Sequence, residues 1–518
     1  MNTHPSDRFR KGKGTMLGVI VCMAIIVMIG SVIRPSVAGA KGPITLTFGA
    51  ENEFAGFDAI QVRGFAICDA IANHAIQERL FDADDNGNLV PVLGLSAIAS
   101  ADQTVWTVKL RQDVFFHDKT PFNADAVVAH WQRLLDPANR FRGRSTFAPL
   151  LSVEKQDAFT VRFNLKHPWL PFPRVLTETR MLGTYIPSPT AVDAGTQLRA
   201  PVGTGPFMFK TWTAGDHFEV VRNPNYWGKV RGNLDAIVFK FIPDEQTRYA
   251  SLKSGQMQMI WMDRGTIIRQ ADTDPSVRHY QSDGDGAEIF ALNTTIPPLD
   301  DKRVRLALAM AWNQTACVKM SYQDAIPEAA TPFGSTIDCG DAGYPAHNIA
   351  KARALIAEYG QPVTIECLHS DSKRGREQGE LLQQFGKRIG ITVNLVGLSF
   401  GPVIKKVLTK NYQVSTWRMP PAVDQGPLLF RAFHSQSRTN VCGYNNPQMD
   451  QLLLAQRMET DPDRRAALLC EIARLINDDV PVIYRGGRRY HVLAQPGVKD
   501  VEDFRNGIVS LSQIRLNR

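Results

Sequence analysis

The chain has 518 residues, 44% hydrophobic and 21% charged, with 39 glycines and 31 prolines spread along it. Length and composition place it among globular proteins of about three domains. The formal net charge is +8, but the first forty residues hold five basic and one acidic residue, leaving 54 basic against 50 acidic residues and +4 beyond them. So mild an excess, with no dense basic run interleaved with aromatics, argues against a nucleic-acid partner.

Residues 1–15 carry Arg8, Arg10, Lys11 and Lys13 against Asp7, and residues 16–33, MLGVIVCMAIIVMIGSVI, carry no charge. Ala38-Gly39-Ala40 then stands before Lys41. This is the pattern of a secretory signal peptide over 1–40 that is cleaved on export. An uncleaved anchor is the alternative, because 18 apolar residues approach the length of a membrane span. Cys22 follows Val21 inside the apolar run, where a lipoprotein signal needs a small residue, so lipidation is not expected.

A first strand is predicted over 44–49, a helix over 66–80, a turn over DADDNGN (82–88) and a strand over 104–110. Asn123 caps a helix, NADAVVAHWQRLL, that stops before Pro137. Strands follow at 159–165, 207–211, 217–222 and 236–242, with a helix over 244–255. A strand over 287–293 leads into helices at 301–312, 347–359 and 376–389, and a strand at 391–396. Helices at about 447–457 and 462–478 start behind the caps Asn446 and Asp461, with Pro447 and Pro462 in their first turns. The mixture predicts an α/β chain with mixed sheets.

Six cysteines lie beyond residue 40: Cys68, Cys317, Cys339, Cys367, Cys442 and Cys470. Fifteen full pairings are open to six cysteines. The first local candidate is Cys317–Cys339, around a loop with Pro327, Pro332 and Gly334, and the second is Cys442–Cys470. No C-x-x-C and no zinc-spaced histidines occur, so no metal site and no cofactor are expected.

One stretch, VSTWRMPPAVDQGP (414–427), stops a strand with Trp417 and Arg418 side by side, followed by Pro420 and Pro421. The prolines stiffen the backbone. This is either a packed strand end with a solvated arginine or a platform for a ligand.

Residues 102–125, DQTVWTVKLRQDVFFHDKTPFNAD, resemble the signature of family 5 bacterial extracellular solute-binding proteins, the dipeptide-, oligopeptide- and nickel-binding proteins of ABC importers. ERLFDADDNGNLVPVLG (78–94), PVGTGPFMFKTW (201–212), RNPNYWG (222–228) and IPDEQTRYASLKSGQM (242–257) are similar to family segments in order and spacing. So are LNTTIPPLDDKRVRLALAMAWN (292–313), GYNNPQMDQLL (443–453) and DPDRRAALLCEIARLINDDVPVIY (461–484). Physically these motifs read as structure. Gly203 and Gly205 suit a turn closed to other residues, Trp106 alternates into a core, and His117 belongs to a structural turn.

The resemblance implies a periplasmic-binding-protein-like fold of three domains around a hinged ligand cleft. Domain I would be 41–81, 186–291 and 486–518, domain II 82–185 and domain III 292–485, with ligand between I and III. It implies a periplasmic, monomeric receptor for a peptide or other small solute, with an inner-membrane permease and ATPase as partners. In peptide-binding relatives an Asp three residues after the strand-end Trp holds the peptide amine; here that position is Pro420, and the nearest acid is Asp424. The cations point instead to an anionic group. Arg418 adjoins Trp417, Arg180 lies in a cleft-facing stretch (the chelate-contacting Arg of nickel-binding relatives matches Gly183), and Arg144 lies near another. Arg63 follows the first strand. Arginine suits carboxylate or phosphate because its planar fork bonds two oxygens at once. The expected ligand contacts are thus Trp417, Arg418, Arg180, Arg63 and Arg144. Against an enzyme, the chain has no G-x-S-x-G and no H-E-x-x-H. A tethered chaperone or sensor on the same fold is the third reading.

Overall fold

The alternating run near the N-terminus is the strand Thr45–Ala50, and it lies inside a ten-stranded mixed sheet. The computed structural model describes residues 42–62, 66–84, 88–263, 265–334, 337–501 and 504–517. The expected leader at 1–40 and Arg63 lie outside the described residues.

From edge to edge the large sheet begins Ile391–Leu398, Val363–Ser370, Val414–Met419, Arg278–Leu292 and Val482–Ala494. It continues through Met259–Met262, Thr45–Ala50, Ala236–Phe241, His217–Arg222 and Phe207–Thr213. Two long antiparallel strands, Arg278–Leu292 and Val482–Ala494, carry it from one half to the other. Their ladder breaks register on both sides of Glu288. At this break Gly286 has φ +86°, and a Cβ there would lie 2.3 Å from the Met419 carbonyl oxygen, so only glycine fits.

Strand alternation sets which side chains meet. Phe290 and Leu292 join Val414, Ile365 and Trp312 in one buried cluster, while Ile289 and Ala291 join Met419 and Tyr484 in another on the opposite face. A separate aromatic cluster, with Phe48, Phe54, Phe57, Phe218 and Phe239, fills the side near Thr45–Ala50.

A second, four-stranded antiparallel sheet runs Gly94–Ala99, Val105–Leu110, Thr160–Leu165, Leu150–Asp157. Helix Ala124–Leu135 packs on it, started as its sequence requires by Asn123, whose side chain accepts from the Ala126 N–H. Trp131 of this helix is 1% exposed and meets Phe147 and Phe163 edge-on at 4.8 and 5.8 Å, the favoured aromatic geometry. Helices Pro447–Met458 and Pro462–Asp479 start at their expected caps.

The family motifs turn out to be joints. Buried Glu78 accepts from Thr204 Oγ1, Tyr226 Oη and Trp227 Nε1 at 2.7–2.8 Å. It thereby ties PVGTGPF and RNPNYWG to the end of helix Ile67–Ile76. The glycines of PVGTGPF are explained by closeness rather than by an unusual turn conformation. A Cβ on Gly203 or Gly205 would stand 2.3 or 2.6 Å from the Ile76 carbonyl oxygen. His117 bonds backbone atoms of both glycines.

The disulfide pairing differs from both expected pairs. Cys339 is bonded to Cys470, 131 residues away, while Cys317 and Cys442 are free and buried. Cys317 lies in the core beside Phe290 and Trp312, and Cys442 in the core beside Tyr412 and Tyr444. Neighbours in sequence are here held in different parts of the fold, and the half-buried loop at Cys339 meets helix Pro462–Asp479 instead.

Candidate functional site: an arginine-walled cavity

A cavity of ≈ 250 Å³ opens where three parts of the chain converge. The segment around Glu178 and Arg180 forms one wall, the lip Arg418–Asp424 a second, and helix Gly426–Phe433 with strand Val482–Ala494 the rest. Four arginines line it, Arg180, Arg418, Arg431 and Arg488, against two carboxylates, Glu178 and Asp424. A larger space of ≈ 500 Å³ lies elsewhere, between helices Glu245–Lys253 and Lys373–Lys387, and its charged wall is mostly acidic: Asp244, Glu245, Glu377 and Glu380 beside Lys373.

The local structure explains why the charges stay. Arg180 Nη1 donates to Tyr490 Oη at 2.6 Å, and its guanidinium lies 5.5 Å from the Tyr490 ring centre. Its backbone N–H donates to Glu178 Oε1, whose other oxygen accepts from the Val423 N–H at 3.0 Å. Glu178 therefore joins one wall of the cavity to the lip on the other. Arg488 donates to Tyr490 Oη and to Glu288 Oε1, and Arg485 donates to Glu288 Oε2 and to the Trp417 carbonyl. Burial works against the Glu288 charge, but Arg488 and Arg485 outweigh it and hold the carboxyl below its usual range.

Like charge is crowded here. Burial lowers the Arg180 pKa; Tyr490 opposes this, and Arg488 and Arg418 add to the lowering. Burial and Arg142 do the same to Arg431. Arginine keeps its proton in proteins, so burial and the crowding of like charge both bear on charged guanidinium groups. The Arg418 side chain makes no hydrogen bond or ion pair among the described residues. Arg431 Nε is buried and has no partner among the described residues.

Of the residues expected from the sequence, Arg180 and Arg418 are brought together at this cavity. Trp417 is not among its lining residues. It pairs with Ile289 while Arg418 pairs with Glu288, and adjacent strand residues face opposite ways. Trp417 packs, half-buried, against the cluster containing Met419 and Tyr484. Arg144 is exposed on the turn Arg142–Ser145 and does not line the cavity, whereas Thr146 next to it does. Sequence reading did not select Arg431, Arg488, Glu178 or Glu288. The density of arginines in YRGGRRYHV (484–492) was a usable signal; Arg431 sits on an amphipathic helix and carried none.

Residues 88–440 match the bacterial extracellular solute-binding proteins, family 5 Middle. The chain belongs to this family. Among curated relatives, the glutathione-binding protein GsiB of Pectobacterium atrosepticum is 28% identical over 437 residues, covering 79% of this chain and 82% of GsiB. Among solved structures, HbpA2 from Haemophilus parasuis is 26% identical with a TM-score of 0.78, over 92% of this chain and 100% of HbpA2. The periplasmic binding protein DppA from Helicobacter pylori, in complex with the peptide STSA, has a TM-score of 0.78 at 23% identity, over 92% of this chain and 99% of DppA. The mixed α/β architecture of this family 5 protein is thus that of periplasmic binding proteins, and its relatives are binding proteins.

Proposed function

We propose that this family 5 protein is the periplasmic receptor of an ABC importer and that its solute is small, peptide-like and anionic. The observation that carries the proposal is that two guanidinium groups on the wall of one cavity, Arg418 and Arg431, make no hydrogen bond or ion pair among the described residues. A volume of ≈ 250 Å³ lies just under the range of about 300–1,000 Å³ usual for small-molecule sites and suits a small solute. GsiB, a glutathione-binding protein by name, supplies a concrete candidate, since glutathione is a small acidic tripeptide. In this account the leader at 1–40 is removed on export. The mature chain works as a monomer, and permease and ATPase subunits take up the solute on docking. Domains I, II and III keep the boundaries given above. Separate core clusters in the two sheets and the broken ladder at Glu288 support that division, with the break as the hinge.

A thermal-unfolding screen of the mature protein tests this reading. Reduced glutathione and acidic dipeptides are compared with neutral and basic dipeptides of like size. Binding at 100 times Kd stabilises by about 2.7 kcal/mol, so acidic members are expected to raise Tm. Stabilisation confined to neutral or basic members overturns the reading.

A further inference from the structure

Two histidines meet on the long strands of the large sheet, outside the lining of the arginine-walled cavity. His279 pairs with Leu493 and His491 with Gln281 across the ladder, so the two rings are diagonal neighbours on one face. His279 Nε2 and His491 Nδ1 lie 2.8 Å apart. The other nitrogen of each ring faces an oxygen. His279 Nδ1 lies 2.6 Å from Asp272 Oδ1, at the end of helix Gly265–Asp272. His491 Nε2 lies 2.7 Å from the Ala325 carbonyl oxygen.

These three contacts fix a proton count. A carboxylate and a carbonyl oxygen only accept, so each outer nitrogen carries a hydrogen. The contact between the two inner nitrogens needs one hydrogen more. Three protons are required, and two neutral imidazoles bring two. One ring is therefore an imidazolium in this arrangement. Burial above all pushes the His491 pKa down to about 4, which keeps that ring neutral, with its hydrogen on Ala325. The third proton then sits on His279, against Asp272.

The turn held through Ala325 is strained. Gln323 and Asp324 are consecutive non-glycine residues at φ 50° and 61°, left-handed backbone that persists only where its surroundings enforce it. In the same turn Tyr322 Oη accepts from Arg485 Nη1, and Arg485 also donates to Glu288 and to the Trp417 carbonyl. One bonded step thus joins this turn to the network behind the cavity.

We propose that Asp272, His279 and His491 form a proton-held clasp on the turn 322–325, complete while the two rings share one extra proton and short of one bond once that proton leaves. Free imidazoles give up that proton above about pH 6.5. The native clasp keeps it to higher pH, so its contribution is full at low pH and is lost as pH rises. Charged and titratable groups of both kinds face it. Asp263 and Arg489 act on His491, Arg278 and Tyr280 flank His279, and Arg269 and Asp324 pair between the helix and the turn. The clasp does not depend on which solute the cavity takes.

Hydrogen exchange of the solute-free mature chain at pH 5.5 and 8.5, corrected for the intrinsic effect of pH on exchange, tests this in peptides covering 318–326. One hydrogen bond to a charged group is worth on the order of tenfold in the opening equilibrium. Opening of this segment in the wild-type chain is expected to rise by that factor from pH 5.5 to 8.5. The deciding variant is Asp272→Asn, at an exposed position. Its amide can donate to His279 Nδ1, so two neutral rings then complete all three bonds. Asp272→Asn is expected to stay protected at both pH values, and His279→Gln, with no ring to titrate, to lose the pH dependence too. Equal opening of the wild-type segment at the two pH values overturns the clasp. So does a pH dependence that survives in Asp272→Asn, or a loss of protection in that variant at both pH values, which would mark a merely structural contact.

Discussion

Arg180 and Tyr490, 310 residues apart in the chain, meet in a 2.6 Å hydrogen bond at the cavity wall. The phenol oxygen also accepts from Arg488, so one neutral group anchors two like charges. Tyr490→Phe keeps the ring and removes the acceptor. Loss of a hydrogen bond to a charged group costs about 1.5–3 kcal/mol. Glutathione affinity is expected to fall by roughly tenfold or more, with the fold intact by circular dichroism; unchanged affinity rejects this anchoring role.

Arg418 and Trp417 separate two roles that adjoin in sequence. Arg418 is exposed at the cavity and makes no hydrogen bond or ion pair among the described residues, so Arg418→Ala is expected to weaken glutathione binding while changing stability by no more than about 0.5 kcal/mol, as at an ordinary surface site. Trp417 packs into the cluster behind the strand. Trp417→Ala is expected to cost about 1–3 kcal/mol in denaturant unfolding, less than the about 3–5 kcal/mol of a fully buried Trp, with affinity within about threefold. A large affinity loss at unchanged stability would restore Trp417 as a ligand platform.

This division was not legible in the sequence. TWRMPP reads as a strand end, and alternation alone assigns its two side chains to opposite faces, but which face meets the cavity depends on strands 125 residues earlier and 65 later. Helix starts were legible because caps are local: Asn123, Asn446 and Asp461 all act as their types require. The first half of strand Arg278–Leu292 was missed because QSDGDG (281–286) is polar and glycine-rich; the fold imposes the strand through Val482–Ala494. The family was legible because its motifs are joints, as Glu78 demonstrates. The cavity was half legible: the sequence singled out Arg180 and Arg418 of its four arginines, but walls drawn from residues 146 to 488 are a product of long-range packing.

Buried His130 gives a test of pH dependence. Its Nε2 bonds the Gly183 carbonyl oxygen at 2.9 Å. Burial, only partly offset by that bond, pushes its pKa from 6.5 down to about 4. Between these values the unfolded chain takes up a proton that the native ring refuses. The contribution of this site is therefore full above about pH 6.5 and is lost as pH falls toward 4. The loss by pH 4.5 is about 2–3 kcal/mol. Since His130→Gln has no titrating group, the stability gap between wild type and variant is expected to shift by that amount between pH 7 and 4.5. A pH-independent gap contradicts it.

The Cys339–Cys470 bond closes a span of 131 residues, and loss of a native disulfide typically costs about 2–5 kcal/mol. Cys339→Ser and Cys470→Ser are each expected to destabilise by that order. Thiol titration of the unreduced, denatured mature chain is expected to find four thiols, those of Cys68, Cys317, Cys367 and Cys442. Two thiols would mean a second bond.

The most direct test of the arginine-walled cavity is calorimetric titration of reduced glutathione into the wild-type chain and into the Arg418→Ala, Arg431→Ala double variant. Two charge-assisted contacts of about 1.5 kcal/mol each amount to roughly a hundredfold. The account predicts binding by the wild-type chain and a loss of that order in a folded double variant. Equal affinity in the two proteins would place the solute elsewhere and contradict it.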